Sequence, residues 1–203
     1  MQEVVRLGHY ENHELHILRE LISSEDKVLE IGGAIGFIGL YCQKIVGVKQ
    51  LVSVEPNPKT LSYLRQNYNL NGLKPSVIEA ALAVTDGPIQ FQVSDMFWTD
   101  SLISQGGATT NTSAQLITVE GLSFETIIKR AGIQFNVLII DIEGGEQHFP
   151  VEAIPHYVDK VLIELHPDAI GFRAAYKVLE ALIRSGFELQ NSALHAWSLK
   201  RKS

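Results

Sequence analysis

The sequence predicts an α/β domain built on a mostly parallel sheet. Short apolar runs alternate along the chain with longer stretches whose apolar residues recur at helical spacing, a rhythm typical of βαβ units. Five apolar runs predict parallel strands, at residues 27–31, 50–55, 76–81, 136–142 and 159–165. Two later runs, residues 187–190 and 194–199, predict an antiparallel pair around Asn191-Ser192 that completes a seven-stranded sheet.

The helices between these strands carry recognisable start and stop signals. Asn57 is suited to cap a helix that opens at Pro58, and Asn71-Gly72 can end that helix in a left-handed conformation. The other helices are predicted at residues 12–23, 37–46, 123–131 and 169–185.

A single domain accounts for residues 1–203, since domains commonly have about 100–200 residues. Within it we expect an N-terminal helical segment at residues 1–24 and an inserted hairpin with a long polar loop at residues 88–120. Residues 89–93 and 116–119 are the expected strands of that hairpin.

Composition and charge restrict the class of protein. The formal net charge is −6, which argues against nucleic acid as the main partner because phosphate binding needs clustered Lys and Arg. No apolar run approaches the roughly 20 residues that span a bilayer. The single cysteine, Cys42, excludes an internal disulfide and is expected in the core. We therefore expect a cytoplasmic globular protein, with a homo-oligomer left open.

A glycine turn after the first strand is the clearest sign of a cofactor site. Residues 28–36 read Val-Leu-Glu-Ile-Gly-Gly-Ala-Ile-Gly, so the strand carries Glu30 near its end and a helix opens after Gly36. Dinucleotide sites use Gly-x-Gly-x-x-Gly, but Ala34 and Phe37 stand where the later glycines are needed. An acidic residue beside the turn would repel a pyrophosphate and suits a cationic sulfonium. The turn (Gly32, Gly33, Ala34 and Gly36) thus favours S-adenosylmethionine over NAD.

A second acidic residue strengthens this interpretation. Glu55 ends the next strand, where a carboxylate can accept hydrogen bonds from both ribose hydroxyls of a nucleoside cofactor. Pro56 and Asn57 follow it directly. After the third strand, the predicted neighbours of the adenine edge are Glu79, Ala80 and Ala81.

Four blocks in order resemble the FkbM-family methyltransferases, over roughly residues 10–190. They are residues 30–36, 54–58 (Val-Glu-Pro-Asn-Pro), 80–87 (Ala-Ala-Leu-Ala, then Asp-Gly) and 140–146 (Ile-Asp-Ile-Glu-Gly-Gly-Glu). The last block is the most specific, and Ile-Glu-Leu-His-Pro at residues 163–167 is similar to the strand that follows it in such proteins. The turn departs from the family pattern, since Glu30 replaces Asp and Gly33-Ala34 replaces Ala-Asn.

This resemblance implies a Rossmann-like class I methyltransferase fold and S-adenosylmethionine as methyl donor. It also implies transfer to a hydroxyl oxygen of a sugar or another small metabolite. The acceptor partner is accordingly expected to be a small molecule.

An acidic cluster is predicted where the acceptor would lie. Asp141 ends a central strand, Glu143 and Glu146 follow in the next turn, and His166 ends the neighbouring strand. The carboxyl ends of parallel strands are where open α/β sheets bind ligands. Asp141, Glu143 and His166 are therefore the predicted catalytic residues, as a general base or as ligands of a divalent cation, and Asp141 is also expected to touch the cofactor.

Weaker candidates and other functions stay open at this point. Tyr10 and Glu11 could close over the cofactor, and Trp98 could stack on an acceptor. A non-catalytic module that keeps the fold, a nucleotide-dependent oxidoreductase and an N-methyltransferase are the alternatives. The broken dinucleotide pattern argues against an oxidoreductase. The lack of an Asn/Asp-Pro-Pro-Tyr block argues against an N-methyltransferase.

Overall fold

A computed structural model describes residues 12–93, 101–102 and 115–202. Tyr10, Glu11 and Trp98 lie outside the described residues, as does most of the polar loop between residues 99 and 115. Among the described residues, none of the helices has the length and apolar character needed to cross a membrane.

Two sheets contain all the described strands. The strands are β1 Lys27–Ile31, β2 Gln50–Val54, β3 Val77–Ile78, β4 Ala81–Leu82, β5 Gly87–Val93, β6 Ser101–Leu102, β7 Gln115–Leu122, β8 Val137–Ile140, β9 Lys160–Glu164, β10 Phe187–Ala193 and β11 Ala196–Arg201. The main sheet has seven strands in the order β10-β11-β9-β8-β1-β2-β3, which confirms the predicted strand number. β1 pairs in parallel with both β2 and β8, while β11 runs antiparallel to β9 and β10.

The second sheet contains the predicted hairpin of the insertion, together with β4 and β6. Its order is β4-β7-β5-β6, and β5 pairs antiparallel with β7, with Ile89 opposite Val119. The predicted third strand, 76–81, is corrected here. Only β3 joins the main sheet, because Ala81 and Leu82 pair with Gly121 and Leu122 of the insertion instead.

Short helices connect the strands. They are α1 Asn12–Leu21, α2 Phe37–Tyr41, α3 Pro58–Leu70, α4 Phe124–Ala131, α5 Pro167–Ile170 and α6 Phe172–Arg184, with a π-helical turn at Cys42–Val46 and 3-10 turns at Glu146–His148 and Val151–Ala153. Asn57 caps α3 as predicted, and its side chain accepts a hydrogen bond from the Lys59 N–H at 2.9 Å.

Two other predictions about connections are wrong. Residues 169–185 do not form one helix, since Gly171 at φ 81° separates α5 from α6. The final hairpin turns at Leu194 and His195 rather than at Asn191-Ser192, and Leu194 adopts φ 51° there.

The core lies on both faces of the main sheet, because side chains along a strand alternate between faces. In β1, Leu29 and Ile31 pack with α4 and α6, whereas Val28 packs with α1. The strands in the middle of the main sheet are buried on both faces, as their nearly continuous apolar sequences predict. This packing fixes the carboxyl ends of β1, β2, β8 and β9 next to one another.

Candidate active site

In the glycine turn after β1, backbone N–H groups donate hydrogen bonds to acceptors within the chain. The N–H groups of Gly32 and Gly33 both donate to the Val54 carbonyl at 3.0 Å, and that of Gly36 donates to the Gly33 carbonyl at 2.8 Å. The Ala34 N–H donates to Glu55 Oε2 at 2.9 Å. A pyrophosphate would need such donors to be available, so this turn is poorly suited to a dinucleotide.

Close packing accounts for two of the turn's glycines. Gly32 has φ +97°, and a Cβ atom there would lie 1.6 Å from the carbonyl oxygen of Asp141. Gly36 has φ +81°, and its Cβ would lie 2.9 Å from the ring of Tyr68. The turn is thereby pressed against the chain that follows β8 on one side and against α3 on the other.

Glu30 lies beneath this turn rather than beside it. Its side chain is 1% exposed, accepts a hydrogen bond from the Ser53 hydroxyl, and lies under α2, where a Cβ on Gly39 would be 3.1 Å from its Oε2 atom. Burial, helped by the nearby charges of Asp141 and Glu55, raises the pKa of Glu30 to about 8. At neutral pH this carboxyl is therefore largely protonated and enclosed, and the predicted contact between Glu30 and a cofactor stays a prediction.

The buried carboxyl of Glu30 should make stability depend on pH. Unfolded chains lose this proton near the ordinary Glu pKa of 4.5, whereas the folded chain holds it up to about pH 8, so unfolding becomes easier as pH rises through that window. We expect Glu30→Gln to raise the free energy of unfolding at pH 8 by roughly 2–4 kcal/mol more than at pH 4.5, at about 1.4 kcal/mol per unit of pKa shift.

Urea denaturation at both pH values measures this effect, with Glu152→Gln at an exposed position as the control. Parallel stability profiles for wild type and Glu30→Gln would contradict an elevated pKa at Glu30.

Glu55 joins the turn to the start of α3. It is 6% exposed; Oε2 binds the Ala34 N–H, and Oε1 accepts from the Asn57 N–H at 2.9 Å. Pro56 lies between Glu55 and Asn57, and Asn57 is buried. The carboxylate thus stands at the carboxyl end of β2 against the turn, the position predicted for a ribose contact.

The three residues predicted near the adenine edge have different environments. Glu79 is exposed and forms an ion pair with Arg65 of α3. Ala80 and Ala81 are buried, and Ala81 begins β4. A contribution of the two alanines to a cofactor pocket would have to come from their small size and their backbone.

The acidic cluster predicted after β8 and β9 does come together around His166. Nε2 of His166 lies 3.8 Å from Asp141 Oδ1 and 3.4 Å from Glu143 Oε2, and Nδ1 lies 2.7 Å from Glu146 Oε1. Glu164, whose Oε1 atom is 3.7 Å from Nε2, was missed by the sequence prediction. Its signal was its spacing, because Glu164 and His166 are two residues apart at the same strand end.

Electrostatics in this cluster favour a protonated imidazole. Burial lowers the pKa of His166, but the hydrogen bond with Glu146 and the charges of Glu143 and Asp141 outweigh burial and raise that pKa to about 10. Glu143 also adopts φ 45°, which is strained for a residue with a side chain and often marks a functional loop. Asp141, Glu143 and His166 each offer an atom within 4.8 Å of the others, a spacing that a divalent cation could also use.

The seven-stranded sheet with its antiparallel β11 has the fold of a class I methyltransferase. Solved structures of methyltransferases share this fold over most of the chain. A sequence model of the methyltransferase FkbM domain matches residues 30–179. The chain belongs to the FkbM methyltransferase family.

Three solved structures illustrate the shared fold. A ribosomal protein L11 methylase from Lactobacillus delbrueckii subsp. bulgaricus is 12% identical, with a TM-score of 0.55 over 96% of this chain and 80% of that chain. A fibrillarin from Aeropyrum pernix with natively bound S-adenosyl-L-methionine is 11% identical, with a TM-score of 0.55 over 93% and 73%. The methyltransferase FkbM from Methylobacillus flagellatus KT is 13% identical, with a TM-score of 0.51 over 88% of this chain and 44% of that chain.

A search of curated proteins found no match. The solved structures, at these identities, establish the fold alone. Methyl transfer therefore follows from the family match.

Proposed function

We propose that this protein transfers a methyl group from S-adenosylmethionine to a hydroxyl oxygen of a small acceptor such as a sugar. The observation that carries the proposal is the contact between the glycine turn and the acidic cluster, since Gly32 packs directly on the backbone of Asp141. Methyl transfer is an in-line displacement, so the enzyme must hold donor and acceptor side by side.

The cofactor half of the site consists of the turn and Glu55. With four of the turn's N–H groups bound within the chain, those of Gly32, Gly33, Ala34 and Gly36, the site favours a ligand without a phosphate. Glu55 would accept from the ribose hydroxyls, and S-adenosylmethionine would supply its activated methyl group at the edge facing Asp141. Glu30 supports the turn from below.

The acceptor half consists of Asp141, Glu143 and His166. A hydroxyl oxygen that takes a methyl group must lose its proton, and carboxylates within reach of the reacting oxygen can receive it. Because His166 retains its own proton at neutral pH, Asp141 and Glu143 are the groups that would accept the proton, while the imidazolium balances their charge.

The acceptor is better described as a small molecule than as RNA. The carboxylates around His166 are Asp141, Glu143, Glu146 and Glu164, and they would repel a phosphate backbone. The chain as a whole also carries a net charge of −6. A putative rRNA-methylase from Clostridium thermocellum is 10% identical to this chain, and this similarity establishes a shared fold alone.

Calorimetry on cofactor-free protein tests the first half of the proposal. We expect S-adenosylmethionine and S-adenosylhomocysteine to bind with micromolar affinity, and NADH to give no heat at the same concentrations. Binding of NADH but not of S-adenosylmethionine would instead support an oxidoreductase.

Turnover tests the second half. Methyl-labelled S-adenosylmethionine is incubated with a panel of sugars and other hydroxyl compounds, and with matched amines, and label transfer is followed by mass spectrometry. Transfer to amines alone would favour an N-methyltransferase, and cofactor binding without any transfer would favour a non-catalytic module. Repeating the assay with EDTA examines whether a divalent cation takes part.

A further inference from the structure

Glu146 has an environment that the proposed chemistry does not yet explain. It opens the 3-10 turn Glu146–His148 after β8, and its side chain is fully buried. Burying a carboxylate is costly unless its hydrogen bonds are satisfied. A favourable helix dipole does not account for it, because the turn has three residues.

One oxygen of Glu146 makes two hydrogen bonds. Oε1 accepts from the Gly144 N–H at 3.0 Å and lies 2.7 Å from Nδ1 of His166. These contacts connect the turn after β8 with the end of β9, two segments separated by 20 residues.

The bond to Nδ1 determines where the other side of the imidazole points. With Nδ1 held by Glu146, Nε2 faces the gap bounded by Asp141 at 3.8 Å, Glu143 at 3.4 Å and Glu164 at 3.7 Å. These distances exceed ordinary hydrogen bonds, so the three carboxylates by themselves do not fix the ring.

We propose that Glu146 is a positioning residue for methyl transfer: it acts through His166, holding the ring so that Nε2 faces Asp141 and Glu143. This inference rests on the proposed function. A carboxylate that fixes the orientation and protonated nitrogen of an active-site histidine is a recurrent device in proteins. Here the burial of Glu146 separates the positioning group from the acceptor, while His166 remains partly exposed.

Two substitutions separate orientation from structural support. Glu146→Gln keeps an oxygen that can accept from both Gly144 and His166, whereas Glu146→Ala removes it. We expect Glu146→Ala to lower kcat by about 10–100-fold, by analogy with the loss of a hydrogen-bond partner that orients a metal-bound histidine. Glu146→Gln should stay within about fivefold of wild type, and the KM for S-adenosylmethionine should change little in either variant.

A double variant tests whether Glu146 acts through His166. We expect Glu146→Ala combined with His166→Ala to be no slower than His166→Ala alone. Glu152→Gln, at an exposed position in the next 3-10 turn, is the matched control. The proposal would be overturned if the loss of kcat in the double variant equalled the product of the two single losses. It would also be overturned if Glu146→Ala kept the wild-type kcat while His166→Ala was impaired.

A spectroscopic readout distinguishes failure of this inference from failure of the proposed function. In protein labelled with 15N-histidine, the hydrogen-bonded Nδ1–H of His166 should give an NMR signal in wild type and Glu146→Gln that is absent from Glu146→Ala. Absence of turnover in wild type would contradict the proposed function but would leave this NMR measurement unaffected. Persistence of the signal in Glu146→Ala would show that Glu146 does not orient the ring.

Discussion

Replacing Gly32 by alanine is expected to destabilise the protein by about 3–5 kcal/mol, the range of a severe core substitution. The added Cβ would lie 1.6 Å from the Asp141 carbonyl oxygen, a backbone atom that cannot move without shifting β8. The left-handed φ of +97° adds a further penalty of about 1–2 kcal/mol for any residue with a Cβ. Urea denaturation gives the loss of stability directly.

Gly72 supplies the matched control for this substitution. It also has a left-handed φ, +69°, but a Cβ there would meet nothing within 4 Å. We expect Gly72→Ala to lower the free energy of unfolding by only about 1–2 kcal/mol, the penalty for placing a residue with a Cβ in a left-handed conformation. Equal losses in the two variants would mean that conformation, rather than the contact between the turn and Asp141, makes Gly32 necessary.

The second large effect is expected at Asp141. Asp141→Asn keeps the size of the side chain but removes the carboxylate that we propose to accept the proton, so kcat should fall by about 10²–10⁴-fold, the usual contribution of a general base. Affinity for S-adenosylmethionine should change by much less, because the glycine turn that we propose to hold the cofactor packs on the backbone of Asp141, which this substitution leaves in place. Label transfer to the best acceptor and calorimetry provide the two measurements.

Asp168→Asn is the control for loss of charge near this site. Asp168 is exposed in the first turn of α5, two residues beyond His166. We expect its kcat to remain within about twofold of wild type, since surface substitutions usually have small effects. An Asp141→Asn variant as active as Asp168→Asn would exclude Asp141 from the chemistry.

Several local features could be predicted from the sequence because their causes are local. Asn57 before Pro58 caps α3, and strands covered on both faces, such as β8, require an unbroken apolar run. Acidic residues at the ends of successive parallel strands must meet at one edge of a sheet. The grouping of Asp141, Glu143 and His166 follows from that rule.

Other features could not be predicted because they depend on contacts between distant segments. The third strand stops at Ile78, since the insertion supplies β7 as a different partner for Ala81. The hairpin turn at Leu194 depends on how β11 pairs with β9. Glu30 shows the same difficulty, because its position in the motif does not show that Ser53 and α2 enclose its carboxyl.

The sequence by itself determined the class of fold, the family and the segments that form the candidate site, because strand alternation, helix caps and short motifs act through neighbouring residues. Tertiary structure decided which carboxyl is buried and protonated, which N–H groups of the turn donate hydrogen bonds within the chain, and which oxygen faces each nitrogen of His166. Those properties depend on desolvation and on distances between separate strands, and both are set only when the strands have packed together.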